Sequence, residues 1–151
     1  MKNIFNSISV THLIYALLLM SCSEDTCPME SNTPIHFDEL VENDGDQFCF
    51  LQSSIENYVI RSQSEFETLI GCIQPQNIDF NSFTLLAGGK EIPTSGRVSS
   101  QSVEQDCKSS IIFRVNIQEG NGQGFSTVYF FAVIPKIESD IPVIFKVKYD
   151  G

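Results

Sequence analysis

The sequence has little positive charge, and its few basic residues form no cluster. Nine lysines and arginines stand against nineteen aspartates and glutamates, which gives a formal net charge of −10 at pH 7. Such a surface repels nucleic-acid phosphates and anionic lipid head groups. We therefore exclude nucleic acid as a partner, and we expect any membrane attachment to depend on something other than charge.

Histidine is nearly absent, which removes most routes to nucleophilic catalysis. His12 lies in an N-terminal segment that we expect to be cleaved, so His36 is the only imidazole left. A nucleophile–histidine–carboxylate arrangement needs an ordered imidazole beside a serine or thiol, and no serine occupies a GxSxG elbow. Glu65 and Glu67 could pair as carboxylates, but their place at the start of a predicted helix explains them better. The sequence predicts no catalytic residues and no enzyme activity.

Motifs for metals and cofactors are also missing. No two cysteines form a CxxC pair, which disfavours a zinc knuckle or a thioredoxin-type site. The acidic stretch 42–46 lacks the spacing and the late glutamate of an EF-hand loop, so a solvated turn is preferred over a calcium site. Residues 120–124 are glycine-rich but lack the lysine and the following helix of a phosphate loop. We predict neither a metal site nor a cofactor.

The longest apolar run lies near the N-terminus and predicts a secretory signal. Lys2 precedes an unbroken apolar run over residues 13–20, which is followed by Ser21 and Cys22. A basic start, a short apolar stretch and a small residue before the cut site are typical of such signals. The run is shorter than the roughly 20 residues that a membrane span needs. We predict that residues 1–21 are a signal peptide.

The end of this signal carries a short motif. Residues 19–22, Leu-Met-Ser-Cys, resemble the lipobox of bacterial lipoproteins. The resemblance implies lipid transfer to the Cys22 thiol, and the acyl chains would anchor the protein at about 0.8 kcal/mol per buried CH2. Glu24 and Asp25 look like a surface-export signal of Gram-negative lipoproteins. We expect an outer-membrane lipoprotein exposed at the cell surface; a periplasmic orientation and a plain secretory signal with an incidental cysteine are the alternatives.

Two parts follow the signal. Residues 22–46 are mostly polar and carry two prolines and eight acidic residues, a composition typical of a tether. Hydrophobic density rises from Phe48 onward, so residues 47–151 are predicted to form one domain. Without residues 1–21, eight basic and nineteen acidic residues leave a formal charge of −11.

Four further cysteines predict two disulfides. Cys27, Cys49, Cys72 and Cys107 would lie in an oxidising compartment after export. Three connectivities are possible, and free buried thiols are the alternative. We favour Cys72 with Cys107, because this bridge would join the predicted helix to the sheet and contribute about 3–4 kcal/mol. Cys27 with Cys49 would then tie the tether to the domain.

A short helix is predicted after a strand at residues 57–61. Ser62 and Glu65 form a capping box, in which each side chain can accept from the other residue's backbone amide. The apolar residues that then share one helical face are Phe66, Leu69, Ile70 and Ile73. Gly71 and Pro75 mark the end. We expect about three turns, with the apolar face packed on a sheet.

The rest of the chain has the patterns of strands. They are predicted at residues 83–87, 96–103, 110–118, 125–134 and 141–149. In the third strand the alternation puts on one face Ile111, Phe113, Val115 and Ile117. In the last strand the residues expected to face inward are Val143, Phe145, Val147 and Tyr149. Gly88 and Gly89 stop the first, and residues 119–124 form the connection between the third and the fourth. The last three strands, joined by short connections, predict an antiparallel meander. We expect an α+β fold, a mainly antiparallel β-sheet with one short helix packed on one face.

Three motifs occur in an order that resembles a known family. Residues 59–66 combine a strand with the capped helix, residues 78–80 are Ile-Asp-Phe, and residues 85–89 are an aliphatic strand ending in two glycines. Over residues 57–149 this order resembles the C-terminal domain of the protease-complex accessory lipoproteins. The resemblance implies a role in binding or stabilising a protein partner, in particular a protease, and it implies no catalytic residue.

A non-enzymatic binding or accessory lipoprotein is therefore the leading hypothesis. The candidate for contact with a protein partner is a loop formed by Gly120, Asn121, Gly122, Gln123 and Gly124. One alternative is a carbohydrate-binding or hydrolytic surface protein of a nutrient-uptake system. Aromatic residues at 125 and 129–131 would form its sugar platform, although sheet core is the preferred interpretation of them. The other alternative is a protease inhibitor that presents residues 120–124.

Overall fold

The fold is mostly β-sheet with one short helix. The computed structural model describes residues 32–40, 49–52, 56–72 and 77–150. Within these ranges the elements are β1 (Thr33–Ile35), β2 (Cys49–Leu51), β3 (Asn57–Ile60), α1 (Gln63–Leu69), β4 (Ile70–Cys72), β5 (Phe83–Gln105), β6 (Ile111–Pro135) and β7 (Val143–Asp150). The main sheet has the order β1-β5-β6-β7, with β3 also paired to β5, and β2 and β4 form a separate two-stranded sheet.

One long antiparallel hairpin, β5–β6, forms most of the sheet. Phe83 pairs with Pro135 at its open end and Gln105 with Ile111 at its closed end. The turn between the strands is held by the Asp106 carboxylate, which accepts from the backbone amides of Lys108 at 2.9 Å and of Ser110 at 2.8 Å. Local hydrogen bonds of an aspartate to the following amides are a common way to build such a turn.

The hairpin folds back on itself near its middle. The rings of Phe113 and Phe130, both on β6, lie 5.9 Å apart in an edge-to-face arrangement. Seventeen residues of straight strand would separate them by roughly 56 Å at 3.3 Å per residue. The two halves of the hairpin therefore face each other, and the first core cluster lies between them. It combines Leu86, Ile92, Ala132 and Ile134 of one half with Val103, Val115 and Ile117 of the other.

This bend explains why the prediction of a C-terminal meander is wrong. β7 pairs with the first part of β6 in parallel, from Ile111 with Val143 to Gln118 with Asp150. A parallel connection usually needs a dozen or more residues. Here residues 136–142 suffice, because the folded-back β6 ends close to its own start. The backbone amide of Ile111 donates to the carbonyl of Pro142 at 2.8 Å.

A second core cluster includes the helix and the two-stranded sheet. Phe66 of α1 is buried in it together with Leu85 and Ala87 of β5 and Phe131 of β6. The predicted cap is present, since the Ser62 hydroxyl accepts from the amide of Glu65. The reciprocal bond is displaced by one residue: the Glu65 carboxylate accepts from the amide of Arg61 at 2.7 Å instead of from that of Ser62.

The helix is shorter than predicted. It ends at Leu69, and Ile70–Cys72 continues as strand β4 instead of a third turn. The physical reason is pairing with β2, in which Leu51 lies opposite Ile70 and Phe50 opposite Gly71. A side chain at Gly71 would collide with the Phe50 ring, since a Cβ there would come within 2.5 Å of it.

The predicted stop at Gly88 and Gly89 is also wrong. Residues 83–87 and 96–103 belong to the single strand β5. Gly88 continues the strand because the Phe130 ring of the paired strand lies over it, so that a Cβ at Gly88 would come within 2.2 Å of that ring. The glycine therefore makes room for an aromatic neighbour and does not end the strand.

The disulfide pairing differs from the favoured one. Cys49 is bonded to Cys72, with their α-carbons 4.1 Å apart, because antiparallel pairing of β2 and β4 places them directly opposite each other. The predicted bridges Cys72–Cys107 and Cys27–Cys49 are therefore wrong. Cys107 is also disulfide-bonded, to neither Cys49 nor Cys72.

Residues 32–40, which lie in the predicted tether, contact the sheet. Thr33–Ile35 pairs with the end of β5 as strand β1. Asp38 exchanges two backbone hydrogen bonds with Val133 on β6, at 3.0 and 2.8 Å. These residues therefore belong to the folded part of the chain.

Candidate functional site

The bend of the hairpin contains the glycine-rich segment. Between Ile92 and Gly96 strand β5 advances four residues, whereas β6 advances seven between Glu119 and Ser126. The extra residues make a bulge, and bulges bend and twist a sheet. The prediction of a hairpin connection at residues 119–124 is therefore wrong: the segment lies inside β6, where it turns the strand back.

Ser95 on β5 holds this segment in place. Its hydroxyl accepts a hydrogen bond from the backbone amide of Gly122 at 2.7 Å. Gly120 and Gly122 both lie against Ser95, and a Cβ at either position would come within 2.5 or 2.6 Å of the hydroxyl oxygen. Gly124 has a φ of +103°, a conformation that side chains disfavour. The three glycines thus permit a close crossing and a sharp change of direction.

Further hydrogen bonds connect the bend to the rest of the sheet. The Ser126 hydroxyl donates to the carbonyl of Thr94 at 2.6 Å. The Thr94 hydroxyl lies 3.2 Å from the Tyr149 hydroxyl on β7. The bend is therefore anchored at its base on both strands of the hairpin and on the last strand.

An open groove lies along the bend, with a volume of about 450 Å³. Its walls come from both strands of the hairpin: Ser95, Gly96, Arg97, Gln118, Glu119, Gly120 and Asn121. The side chains are polar and include one cation and one anion. Such a lining suits hydrogen bonds to a polar or polypeptide ligand more than burial of an apolar molecule.

Phe125 stands out next to the glycine segment. It is 79% exposed, whereas the other large exposed apolar residues in the described part of the chain, Phe50, Phe83 and Ile144, are 37–42% exposed. The sequence pattern placed it in the core with the aromatics that follow. The bulge instead turns its side chain outward. Because an exposed aromatic ring gains much from being covered, it is a common anchor in protein interfaces.

The other aromatics proposed for a sugar platform lie in the core. Phe130 and Phe131 are buried, at 1% and 8% exposure. Tyr129 is partly buried and packs against the second core cluster. Within this strand only Phe125 is available to a ligand, so a platform of several stacked rings is not formed there.

The polar residues singled out in the sequence have local roles. Glu65 caps the helix, and Glu67 accepts a hydrogen bond from Gln63 at 2.9 Å. His36 is 95% exposed, and its Nε2 lies 3.9 Å from an oxygen of Asp38. Cys22, Cys27 and the acidic stretch 42–46 lie outside the described residues.

Asp79 of the Ile-Asp-Phe motif organises a turn. Its carboxylate accepts from the Ser82 hydroxyl at 2.7 Å and from the amide of Asn81 at 3.0 Å. These hydrogen bonds, with that of Ser82 first, hold the pKa of Asp79 below its ordinary value. Ile78 and Phe80 pack against the second core cluster. The motif therefore has a structural role.

No group of three or more potential metal ligands occurs in the described part of the chain. Among the same residues, no helix has the length and the apolar character that crossing a membrane requires. Comparisons with protein-family models, curated proteins and solved structures find no match to this chain.

Proposed function

We propose that this chain is an envelope lipoprotein, anchored through Cys22, whose folded domain binds a protein partner as a non-enzymatic accessory module. The partner contacts the bend surface, which we define as the groove-lining residues of the bend together with Phe125. The observation that carries the proposal is the exposure of Phe125 on a segment held by Ser95.

An exposed aromatic on an anchored segment favours recognition of a protein. Covering a phenylalanine side chain contributes about 1.5–3 kcal/mol, and little conformational entropy is lost when the backbone beneath it is already fixed. The adjoining groove offers Arg97, Glu119 and the Gln118 amide for polar contacts around that anchor. An apolar centre with a polar rim is the usual composition of a protein interface.

The class of partner follows from the resemblance of residues 57–149 to the protease-complex accessory lipoproteins. A secreted or membrane protease of the same envelope is the first candidate. Surface anchoring through Cys22 would place the bend surface next to such a partner.

Replacement of Phe125 tests the interface. The F125A variant of the full-length, tagged protein should recover roughly 10- to 30-fold less of its partner from solubilised membranes, the range expected for loss of an interface anchor of about 2 kcal/mol. F83A is the matched control, since Phe83 is also exposed but lies at the far end of the hairpin. Equal recovery with both variants would contradict the proposal.

The lipid anchor is tested separately. C22A should lose incorporation of labelled fatty acid and should move from the membrane fraction to the soluble fraction, because sulfur is the atom that takes the lipid. C49S/C72S provides the control for loss of cysteine alone, because it removes both partners of a disulfide and leaves no new free thiol. If C22A remained labelled and membrane-bound, the anchoring part of the proposal would be wrong.

A protease partner can be held as an inhibited enzyme or as a stabilised one. Titration of the recovered protease with purified full-length protein distinguishes the two. Stoichiometric loss of peptide hydrolysis would show that the bend surface acts as an inhibitor, whereas unchanged hydrolysis with a longer enzyme half-life supports the accessory role.

A further inference from the structure

The outer edge of β7 is open in the described part of the chain. β7 is the last strand in the sheet order and pairs with β6 alone. Its eight residues are regular and carry no proline. The backbone groups along this edge are therefore available to a further strand, which is the way that many sheets bind extended peptides.

The inner side of β7 is only partly covered. Val143, Phe145, Val147 and Tyr149 pack against the first core cluster but remain half-buried, whereas the equivalent residues of β6 are buried. The difference arises because β6 has a neighbour on each side and β7 has one. A strand added at this edge would cover the apolar side chains further, provided that its own inward residues are apolar.

The outer side of the same strand is basic. Lys146 and Lys148 of β7 lie beside Arg114 of β6 and line an open groove of about 370 Å³ together with Ser100, Ser102 and Asn116. Two carboxylates accompany them: Glu104 lies 3.3 Å from Arg114, and Asp150 lies 2.6 Å from Lys148. This basic face therefore has a charge of +1 in a protein with a net charge of −10.

We propose that the open edge of β7 takes up an extended segment of a partner polypeptide in which acidic and apolar side chains alternate. This inference rests on the proposed function, because it names the kind of polypeptide that the domain recognises. Directly opposed side chains on neighbouring strands lie about 4.5–5.5 Å apart. The acidic residues would then lie against Lys146 and Lys148, and the apolar ones against Phe145 and Val147.

Pairing of this edge with a second copy of the chain is disfavoured in the registers that overlap most. In those antiparallel registers Lys146 lies opposite itself or opposite Lys148. Like charges directly opposite each other destabilise a strand pair. The lysines thus select against self-association and in favour of an acidic strand.

A peptide assay tests the proposal without the natural partner. The probe is an eight-residue peptide of alternating valine and glutamate, titrated into the isotopically labelled full-length protein in detergent. Saturable chemical-shift changes should centre on residues 143–150, and the outward-facing amides there should exchange more slowly with solvent. Raising NaCl from 50 to 500 mM should weaken binding several-fold, because the ion pairs are exposed.

Charge reversal provides the matched comparison. K146E/K148E should weaken the valine–glutamate peptide about tenfold and should favour a valine–lysine peptide instead. K90E/K108E makes the same change of net charge away from β7 and should alter either affinity less than twofold. Methylation of alternate peptide amides should abolish binding, because it removes the backbone donors of the added strand.

Three results would overturn the inference. Equal binding of the valine–glutamate and valine–lysine peptides would exclude charge selection. Binding of a polyuronate but of no peptide would assign the basic face to an anionic glycan. The third result is slow hydrogen exchange of the β7 amides in the protein without peptide, together with rapid exchange in the E24Q/D25N/E30Q variant. It would show that the chain's own acidic segment occupies the edge. F125A should not change the affinity for the valine–glutamate peptide. Failure of the peptide to bind would therefore not contradict the proposal for the bend surface, which the F125A pull-down tests separately.

Discussion

The two halves of the β5–β6 hairpin differ in how they are covered. In the half at the open end of the hairpin, residues 83–92 and 126–135, both faces of the sheet are packed: Leu86 points into the first core cluster and Leu85 into the second. In the half near the turn, residues 96–105 and 111–119, Phe113 is buried on one face while Arg114 remains partly exposed on the other.

The difference comes from α1 and the two-stranded sheet of β2 and β4, which supply the second layer. A doubly covered strand has a continuous apolar sequence, and a singly covered strand alternates. In the half near the turn, one face of the sheet is not covered by the second layer. Polar side chains can therefore lie on that face without replacing buried apolar residues. This is the basic face beside β7, and the bend surface lies at the boundary between the halves.

The largest expected effect is a loss of unfolding free energy, and it compares two neighbouring residues in one half of the hairpin with two in the other. L85A and L86A should each lower the free energy of unfolding by about 2–5 kcal/mol, because both side chains are fully buried, on opposite faces. F113A should cost about 3–5 kcal/mol, whereas R114A should cost less than about 1 kcal/mol. Urea denaturation measures all four. If L85A were as mild as R114A, the second layer would not cover the sheet.

Removal of the disulfide tests what holds the covering layer. C49S/C72S should lose about 3 kcal/mol in the chain-entropy model, since the bridge closes a loop with a sequence separation of 23. Hydrogen exchange should accelerate at residues 57–72 more than at residues 111–118. Uniform acceleration over both would show that the layer does not open as a separate unit.

A smaller effect tests the contact that lets β5 continue through its glycines. G88A should cost about 1–3 kcal/mol, because the new methyl group would collide with the Phe130 ring and with the side-chain oxygen of Asn57. F130L shortens that side chain, so the double variant G88A/F130L should be less destabilised than the sum of the single variants. Additive losses in urea denaturation would mean that the Phe130 ring is not what excludes a side chain at position 88.

The smallest effect concerns the singly covered half and depends on pH. Glu104 accepts from Asn32 at 2.8 Å and from Arg114, which together hold its pKa below the ordinary value of 4.5. Because the folded state lowers this pKa, the stabilisation is present above pH 4.5 and is lost as the pH falls through the lowered value. E104Q should therefore cost less than about 1 kcal/mol at pH 7 and nothing below that pKa.

Glu91, another glutamate on β5, provides the control for E104Q. E91Q should leave the unfolding free energy within about 0.5 kcal/mol of the parent at either pH. A loss for E104Q that persisted unchanged at low pH would show that the carboxylate does not act through its charge.

Local patterns predicted the parts of the fold that local chemistry determines. The alternation in residues 111–117 gave the correct buried face, and that in residues 143–149 gave the correct inward side chains of β7. The helix cap at Ser62 was also found, because its hydrogen bonds join residues three apart. Each of these signals lies within one element.

Features that depend on distant neighbours were missed. The glycines at positions 88 and 89 look like a stop unless the Phe130 ring is known to lie across the strand. The pairing of Cys49 with Cys72 follows from two three-residue strands, which are too short to show a period. β7 is parallel because β6 bends back, and the direction of a strand leaves no trace in its own sequence.

The sequence predicted a contact segment at residues 120–124, and contact with a partner stays a proposal. The prediction described the segment as a hairpin loop, whereas it lies inside β6. Glycines at every second position, 120, 122 and 124, are the signal that could have indicated a strand with a close crossing. Phe125 was assigned to the core, because the outward turn of its side chain depends on how many residues the bulge contains.

Photo-crosslinking from position 125 in intact cells tests the central claim most directly. A photoreactive phenylalanine analogue would replace Phe125 in one strain and Phe83 in another. The account predicts one dominant crosslinked protein from position 125, lost when the bend is altered by G122A, and none from position 83. Equal crosslinking from both positions, or none from position 125, would contradict it.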